Sequence, residues 1–403
     1  MSEWKEYTIG EICSRFSSGK SIKASQISTE GLYPVYGGNG LRGFTDTFNF
    51  DGECSIIGRQ GAYCGNVRYF KGKAFMTEHA IVAVVNENHN NGYVSNLLSM
   101  MNLAQYQGQS AQPGLSVSTL SKITIKLPDL ATQEQCFNVL NLIDQKIQIN
   151  NQINQELEAM AKTLYDYWFV QFDFPNQNGN PYKSSGGKMV YSPELKREIP
   201  EGWGVEKLGD LGTIVGGSTP TKSISDNFTK GGEGYSWITP NDLSNNKGNK
   251  FIKNGEIDIT VRGLKDASLK LYPEGTVLMS SRAPVGYLAI ATKELTTNQG
   301  FKSFIPDKKY DKNYIYNTLQ NCLKVIEQNA SGSTFKEISA TVLKDIKVLQ
   351  PNLEIVKKFE ITVSSINNYI RDNEVQNQEL TQLRDWLLPM LMNGQVKVQD
   401  FTI

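Results

Sequence analysis

Histidine is nearly absent from this chain of 403 residues: only His79 and His89 occur, and neither lies in an HExxH pair. Both read as structural or surface residues, since general acid–base or nucleophilic catalysis needs a partner that the sequence does not offer. The cysteines are few and scattered. Cys13, Cys54, Cys64, Cys136 and Cys322 contain no CxxC spacing and are odd in number, which argues against a disulfide framework and against a Cys-type zinc site. No stretch approaches the ~18 continuous apolar residues of a membrane span, and the opening MSEWKEYTIG has no apolar signal core, so a cytoplasmic location is expected. Net charge is missing as well, with 41 basic against 41 acidic residues. A protein that coats nucleic acid non-specifically would be basic. A neutral chain can still carry local basic patches.

What is present is a plan used twice. Trp4-Lys5-Glu6-Tyr7-Thr8-Ile9-Gly10-Glu11-Ile12 recurs as Trp203-Gly204-Val205-Glu206-Lys207-Leu208-Gly209-Asp210-Leu211, an offset of 199 residues. A small polar loop follows each: Ser17–Ser21 in one, Gly216–Lys222 in the other. Strand-like runs then end in an arginine, at Arg59 and at Arg282. Leu120–Pro128 matches Leu343–Pro351 at an offset of 223, so the second copy carries 24 more residues. A repeat this long occurring twice is a domain duplication rather than a solenoid. Short runs of Thr, Val, Ile and aromatics make each globular half mostly β, with helices expected at Val94–Tyr106 and Tyr314–Gln328.

After each proline the pattern changes. Residues 131–170 hold no Gly and no Pro, and Leu140, Ile143, Ile147, Leu157, Ala161, Leu164 and Trp168 form a helical stripe of heptad character. Thr132 with Gln135 is a candidate capping box, and forty residues make a rod of ~60 Å. The stripe repeats over 353–388, and Pro389 should kink or stop that end. The segment after Phe174, rich in Asn, Gly, Ser and Pro, has linker composition.

The expected organisation is therefore a first β module (1–130), a long helix (131–173), a linker (174–200), a second module (201–351), a second long helix (352–393) and a tail (394–403). The two apolar stripes should pair antiparallel, giving an α+β dumbbell with approximate two-fold symmetry. Asn150 and Asn154 interrupt the first stripe, and Asn373 and Asn377 interrupt the second at the same steps. Overlaid midpoints would bring these amides together, where a buried amide fixes register.

Three motifs tempt a catalytic reading. Gly38-Asn39-Gly40-Leu41-Arg42-Gly43 fits GxGxxG, but β or turn follows it rather than a helix, so a contact loop is the better reading. Gly19-Lys20-Ser21 resembles the end of a P-loop, but Ser14 stands where its first glycine belongs. Asn180-Pro181-Tyr182 is similar to an amino-methyltransferase motif, yet it lacks a proline and lies in the linker. What remains is recognition chemistry. Small loops on β scaffolds that bear basic and amide side chains suit phosphate and base-edge contacts. The candidates are Lys20, Asn39, Arg42, Arg59 and Gln60 in the first half. In the second they are Thr219, Lys222, Ser281, Arg282, Gln299, Lys302, Ser333, Thr334 and Lys336. Recurrence favours the pairs Arg59/Arg282 and Lys20/Lys222. Charge agrees weakly: residues 1–130 have 11 basic and 10 acidic residues and 201–351 have 19 and 16, while 131–175 have 2 and 6 and 352–403 have 5 and 7.

The whole plan resembles the specificity subunit of type I restriction–modification systems. The carriers are Leu208-Gly209-Asp210-Leu211, Gly216-Gly217-Ser218-Thr219-Pro220, Trp237–Leu243, Ser281-Arg282-Ala283-Pro284-Val285-Gly286, Gly332–Ile338, and Tyr165–Pro175 at the boundary of the first helix. The resemblance implies two target-recognition domains, each reading one half of a split, asymmetric double-stranded DNA target. It implies helices that set the spacer and dock two methyltransferase (modification) subunits. It also implies that this chain is not an enzyme and binds no cofactor. S-adenosylmethionine would belong to the methyltransferase, ATP and Mg to restriction (translocase–nuclease) subunits. No membrane partner is implied. One departure stands out: Gln112-Pro113-Gly114-Leu115-Ser116 in the first half replaces Ser333–Ile338 of the second, so loop contacts cannot be copied between halves. The competing readings are a protein-binding scaffold of two β modules on a coiled coil, and a methyltransferase with an unrecognised site.

Overall fold

A computed structural model describes residues 4–108, 114–282, 284–332 and 336–398. The chain divides into two compact units, and the divisions fall inside the long helices: residues 1–147 with 378–403, and residues 148–377. Each unit thus contains part of both helices, a division that the expected boundaries at 130/131 and 351/352 did not anticipate.

In the first unit the strands are β1 (Lys5–Thr8), β2 (Cys13–Ser18), β3 (Tyr33–Gly37), β4 (Gly40–Thr45), β5 (Phe50–Gly58), β6 (Val67–Met76), β7 (Ala80–Val85) and β8 (Thr124–Leu127). Six of them form one sheet in the order β2-β7-β5-β6-β3-β4, and β1 pairs antiparallel with β8. The GxGxxG segment is the turn and second strand of the β3–β4 hairpin, with Gly40 at φ 96°. Helix α1 (Asn91–Met100) is capped by Asn90, whose side chain accepts from Tyr93 N–H at 2.8 Å. A 3-10 turn over Leu103–Tyr106 completes the helical segment expected at Val94–Tyr106. Ile9, Ile12, Ile57, Ile81, Tyr93, Val94 and Leu98 fill the core between sheet and helix.

Helix α2 (Leu130–Tyr165) follows β8. Its N-cap is Asp129, whose carboxylate accepts from Thr132 N–H at 2.8 Å, rather than Thr132 itself. That bond holds the Asp129 carboxyl below the usual carboxylate range. Thr132 cannot cap because its own N–H is already the third of the helix. The helix ends in a π-turn over Asp166–Val170.

The second unit carries β9 (Met189–Ser192), β10 (Arg197–Pro200), β11 (Gly204–Lys207), β12 (Thr213–Val215), β13 (Phe228–Lys230), β14 (Tyr235–Ile238), β15 (Phe251–Ile252), β16 (Ile257–Ile259), β17 (Val277–Met279), β18 (Leu288–Ala291), β19 (Thr296–Thr297), β20 (Ser303–Ile305) and β21 (Lys347–Gln350). A five-stranded sheet runs β12-β20-β17-β18-β15, a four-stranded one β13-β16-β14-β19, and β11 pairs with β21 as β1 does with β8. Helix α3 (Lys312–Asn329) starts at Asp311, which accepts from the N–H groups of Asn313 and Tyr314. Helix α4 (Leu353–Met392) starts at Asn352, 223 residues after Asp129. It runs through Pro389 and stops three residues beyond, at a turn closed by Gly394 with φ 68°.

The segment read as a linker is packed. Phe174 stacks on Trp203 at 4.8 Å and on Tyr182 at 4.7 Å, Asp173 accepts from the N–H and hydroxyl of Ser184, and β9 and β10 form a hairpin. Its glycines and asparagines form turns between aromatic anchors. Composition registered the turns and missed the anchors.

Inside the second unit α2 and α4 run antiparallel through a polar seam. The Asn150 amide, fully buried, donates to Asn377 Oδ1 at 2.9 Å and to Gln376 Oε1 at 2.7 Å. Asn373 donates to Asn154 Oδ1 at 2.9 Å, and Asn377 to Asn151 Oδ1 at 2.8 Å. All four asparagines singled out in the sequence meet. The partner of Asn150 is Asn377, not Asn373, one helical turn away from the register that overlaid midpoints would give.

Candidate nucleic-acid interface

In each unit the backbone builds the same frame. In the first unit β3 and β6 run parallel with Tyr36 opposite Met76, and Thr77 N–H reaches Tyr36 C=O at 2.9 Å. In the second β14 and β19 run parallel with Ile238 opposite Thr297, and Asn298 N–H reaches Ile238 C=O at 3.0 Å. Lys20 N–H binds Met76 C=O at 2.9 Å, as Ser218 N–H binds Thr297 C=O at 3.1 Å. The residue before each is a glycine with no room for a side chain. A Cβ on Gly19 would lie 2.1 Å from Met76 O, and one on Gly217 would lie 1.6 Å from Thr297 O. Arg59 donates its N–H to His79 C=O at 3.0 Å and accepts from Leu115 N–H at 2.9 Å. Ser281 does the same with Gly300 at 2.8 Å and Ile338 at 3.0 Å. One residue on, Gln60 bridges Gly114 and Arg282 bridges Glu337.

This frame displaces both pairs drawn from the sequence. The counterpart of Arg282 is Gln60, that of Arg59 is Ser281, and that of Lys20 is Ser218 rather than Lys222. Successive strand residues point to opposite faces, so a shift of one residue exchanges the two sides. Ser281 is accordingly fully buried, and its hydroxyl has no hydrogen-bond partner, so it offers nothing to a base edge. Its backbone joins three segments instead. Arg59 is half-buried, its guanidinium 3.5 Å from Ser18 Oγ, and not in the core. Arg282 is on the surface, with its side chain 46% exposed, and its Nε donates to Glu337 Oε2 at 3.0 Å.

Around these residues the remaining candidates fall into two groups. In the first unit Lys20, Asn39 and Arg42 are exposed and Gln60 is half-buried. The Gly38 backbone packs against Arg59, Gln60 and His79, and the Arg42 stem lies over Gly37. Arg68, whose guanidinium sits against Gly40, belongs to this group and had escaped sequence reasoning. Only the fold brings the start of β6 to the hairpin turn. In the second unit Thr219 Oγ1 donates to Gln299 Oε1 at 2.6 Å. Gln299 neighbours Gly300, whose C=O accepts from Ser281 N–H at 2.8 Å. Lys302 is mostly covered and lies 4.0 Å from Glu337. Lys336 is exposed. Lys222 is exposed on a separate segment anchored by Asp266, which accepts from Thr221 N–H at 2.7 Å. Ser333 and Thr334 lie outside the described residues.

Among the described residues no set of His, Cys, Asp and Glu is placed to hold a metal ion. The Cys13 and Cys54 thiols are pushed up to about 12 by burial, far from thiolate chemistry at neutral pH. No helix among the described residues is long and apolar enough to cross a membrane. The two units thus carry two versions of one frame, bearing different polar side chains. Comparison with known proteins decides the family: the model for the type I restriction modification DNA specificity domain matches residues 1–159 and 200–384. The chain belongs to this family.

Specificity-domain relatives are similar over different lengths. The type I restriction enzyme MjaIX specificity subunit of Methanocaldococcus jannaschii is 38% identical over 205 residues, 49% of this chain and 46% of that protein. The HindI specificity subunit of Haemophilus influenzae is 27% identical over 335 residues, 70% of this chain and 71% of that one. The EcoprrI specificity subunit of Escherichia coli is 40% identical over 146 residues, 35% and 36% of the two chains. The match to the first of these thus spans about half its length. The crystal structure of the type I restriction–modification S subunit from M. genitalium shares the fold, with a TM-score of 0.62 at 16% identity, covering 100% of this chain and 97% of that one. As in that structure, this specificity-domain chain is α+β.

Proposed function

We propose that this chain is the non-catalytic DNA-reading subunit of a type I restriction–modification complex, each recognition unit reading one half of a bipartite, asymmetric double-stranded target. The observation that carries this reading is the duplicated frame with exchanged side chains: Gln60 against Arg282, Arg59 against Ser281, Lys20 against Ser218. The shared frame would position the chain on the duplex and the side chains that differ between the units would specify bases. Glutamine suits adenine N6 and N7 and arginine suits guanine O6 and N7, so the two ends would favour different bases.

The long helices would set the spacer and dock two methyltransferase subunits. Support comes from apolar side chains left exposed on them: Leu142, Ile149, Ile153 and Met160 on α2, Ile361, Tyr369, Val375, Leu383 and Trp386 on α4. Zero net charge fits a subunit whose partners supply much of the phosphate contact. S-adenosylmethionine would be bound by the methyltransferase, ATP and Mg by the restriction subunits, and the assembly would work in the cytoplasm. The test is methylation mapping in cells that express the chain with its methyltransferase. Replacing residues 1–130 with those of a relative should change one half-site and preserve the other half and the spacing. A change in both halves refutes the modular reading.

A further inference from the structure

The second unit contains a buried charged node that its recognition frame does not use. Lys250 precedes β15, the edge strand of the five-stranded sheet, and its side chain is 1% exposed. Its ammonium lies 2.8 Å from Glu158 Oε1 on α2 and 4.4 Å from the centre of the Tyr316 ring on α3. Its backbone N–H donates to Glu374 Oε1 on α4 at 2.6 Å, and the next N–H, of Phe251, donates to Glu374 Oε2 at 3.1 Å. One residue is therefore held by both long helices, through the side chain by one and through the backbone by the other.

The two carboxylates belong to the same turns as the amide seam. Glu374 sits beside Asn373 and one turn before Asn377, and Glu158 one turn after Asn154. Slipping α2 past α4 by one turn would displace Glu158 from Glu374 by about 5.4 Å. Lys250 could then keep only one partner, and a buried charge left unpaired is strongly unfavourable. Burial already pulls the Lys250 ammonium's pKa down, against the pull of Glu158. The sheet behind Lys250 is continuous with the reading end. β15 pairs with β18, β18 with β17, and β17 leads into Ser280, Ser281 and Arg282.

We propose that Lys250, Glu158 and Glu374 are positioning residues that lock the second recognition sheet to one register of the helix pair, so that spacer length and second half-site are read together. This rests on the DNA-reading function proposed above. It assigns a specificity role to three side chains distant from the reading loops.

The experiment uses the full chain assembled with its methyltransferase subunits. Binding is measured to duplexes with the cognate target, with a spacer one base pair shorter or longer, and with an altered first half-site. Lys250→Met and Glu158→Gln remove charge without adding bulk, and the node borders a cavity of about 420 Å³ that can absorb adjustment. Each should lower discrimination against the wrong spacers at least about fivefold, a modest coupling between sites. Discrimination against the altered first half-site should stay unchanged, and Lys250→Arg should restore most of the loss. A merely structural lysine would lower all affinities together. If Lys250→Met fails to fold, Glu158→Gln decides, because that side chain is 28% exposed. Spacer discrimination within about twofold of wild type in a folded variant overturns the inference. A wild-type complex without sequence preference overturns the DNA-reading proposal as well, so the two failures are distinct.

Discussion

Replacing the amide seam by leucine should make the protein more stable and less selective for spacing. Asn150 is fully buried, and its Oδ1 has no hydrogen-bond partner, while its amino group serves Gln376 and Asn377. Asn150→Leu alone gives up two hydrogen bonds of about 1 kcal/mol each and takes a donor from the buried Asn377, at about 1–3 kcal/mol. It removes an unsatisfied buried oxygen of similar cost. Leucine also adds apolar burial of about 1.5–3 kcal/mol. The single change should therefore sit near neutral. With Asn377→Leu added, the acceptor that lost its Asn150 donor disappears, a second apolar side chain is buried, and the released Asn151 lies where water reaches it. The double variant should gain about 2 kcal/mol over wild type and melt about 4–8 °C higher in the transition of the second unit. A double-mutant cycle followed by calorimetry would return a favourable coupling of about 1 kcal/mol or more. Methylation mapping of the same variant should show neighbouring spacer lengths accepted. A double variant less stable than wild type would refute the energetic reasoning. Unchanged spacer choice would refute the assignment of register to the amides.

Gly217→Ala places a methyl group 1.6 Å from Thr297 O, a backbone atom, and should cost about 3 kcal/mol or more, measured by chemical denaturation. A cost under about 1 kcal/mol would show that the loop is not held as described. Arg282→Ala in the assembled complex should weaken cognate DNA binding by about 1–3 kcal/mol and relax one base position of the second half-site, while Lys222→Ala should act through the salt dependence only. Equal, sequence-independent losses would deny Arg282 a base. Burial raises the Glu374 carboxyl from its ordinary 4.5 to about 7, against the pull of the Lys250 and Phe251 N–H groups and of the Lys250 ammonium. A carboxyl whose pKa rises on folding contributes stability that is complete below about 4.5 and lost as pH rises through about 7. Stability of the second unit should accordingly fall across that interval, and Glu374→Gln should flatten the slope in urea melts at stepped pH.

Much of the plan was legible because it is written in local patterns. The duplication shows as matched words at offsets of 199 and 223 residues. The helices follow from long segments without glycine or proline that carry an apolar stripe, and the four asparagines stand out because they break that stripe. A helix needs only its own residues to be recognised, since its hydrogen bonds close within four positions. The mostly β character of the halves was equally readable.

Which residues correspond between the halves was not legible, because correspondence is set by distant partners. Arg59 and Arg282 look equivalent along the chain, yet His79 and Leu115 on one side and Gly300 and Ile338 on the other pair Arg59 with Ser281. One residue of slippage in a strand turns a surface arginine into a buried serine, and local sequence carries no mark of it. The same holds for the supposed linker, whose phenylalanine acquires meaning only when Trp203 stacks on it, and for Lys250, ordinary in sequence and buried between two glutamates 92 and 124 residues away. The sequence by itself determined the periodic elements, their duplication and the kinds of side chain on the loops. The tertiary structure alone decided the helix register and which polar side chains face solvent or become buried, because each depends on contacts between residues far apart in the chain.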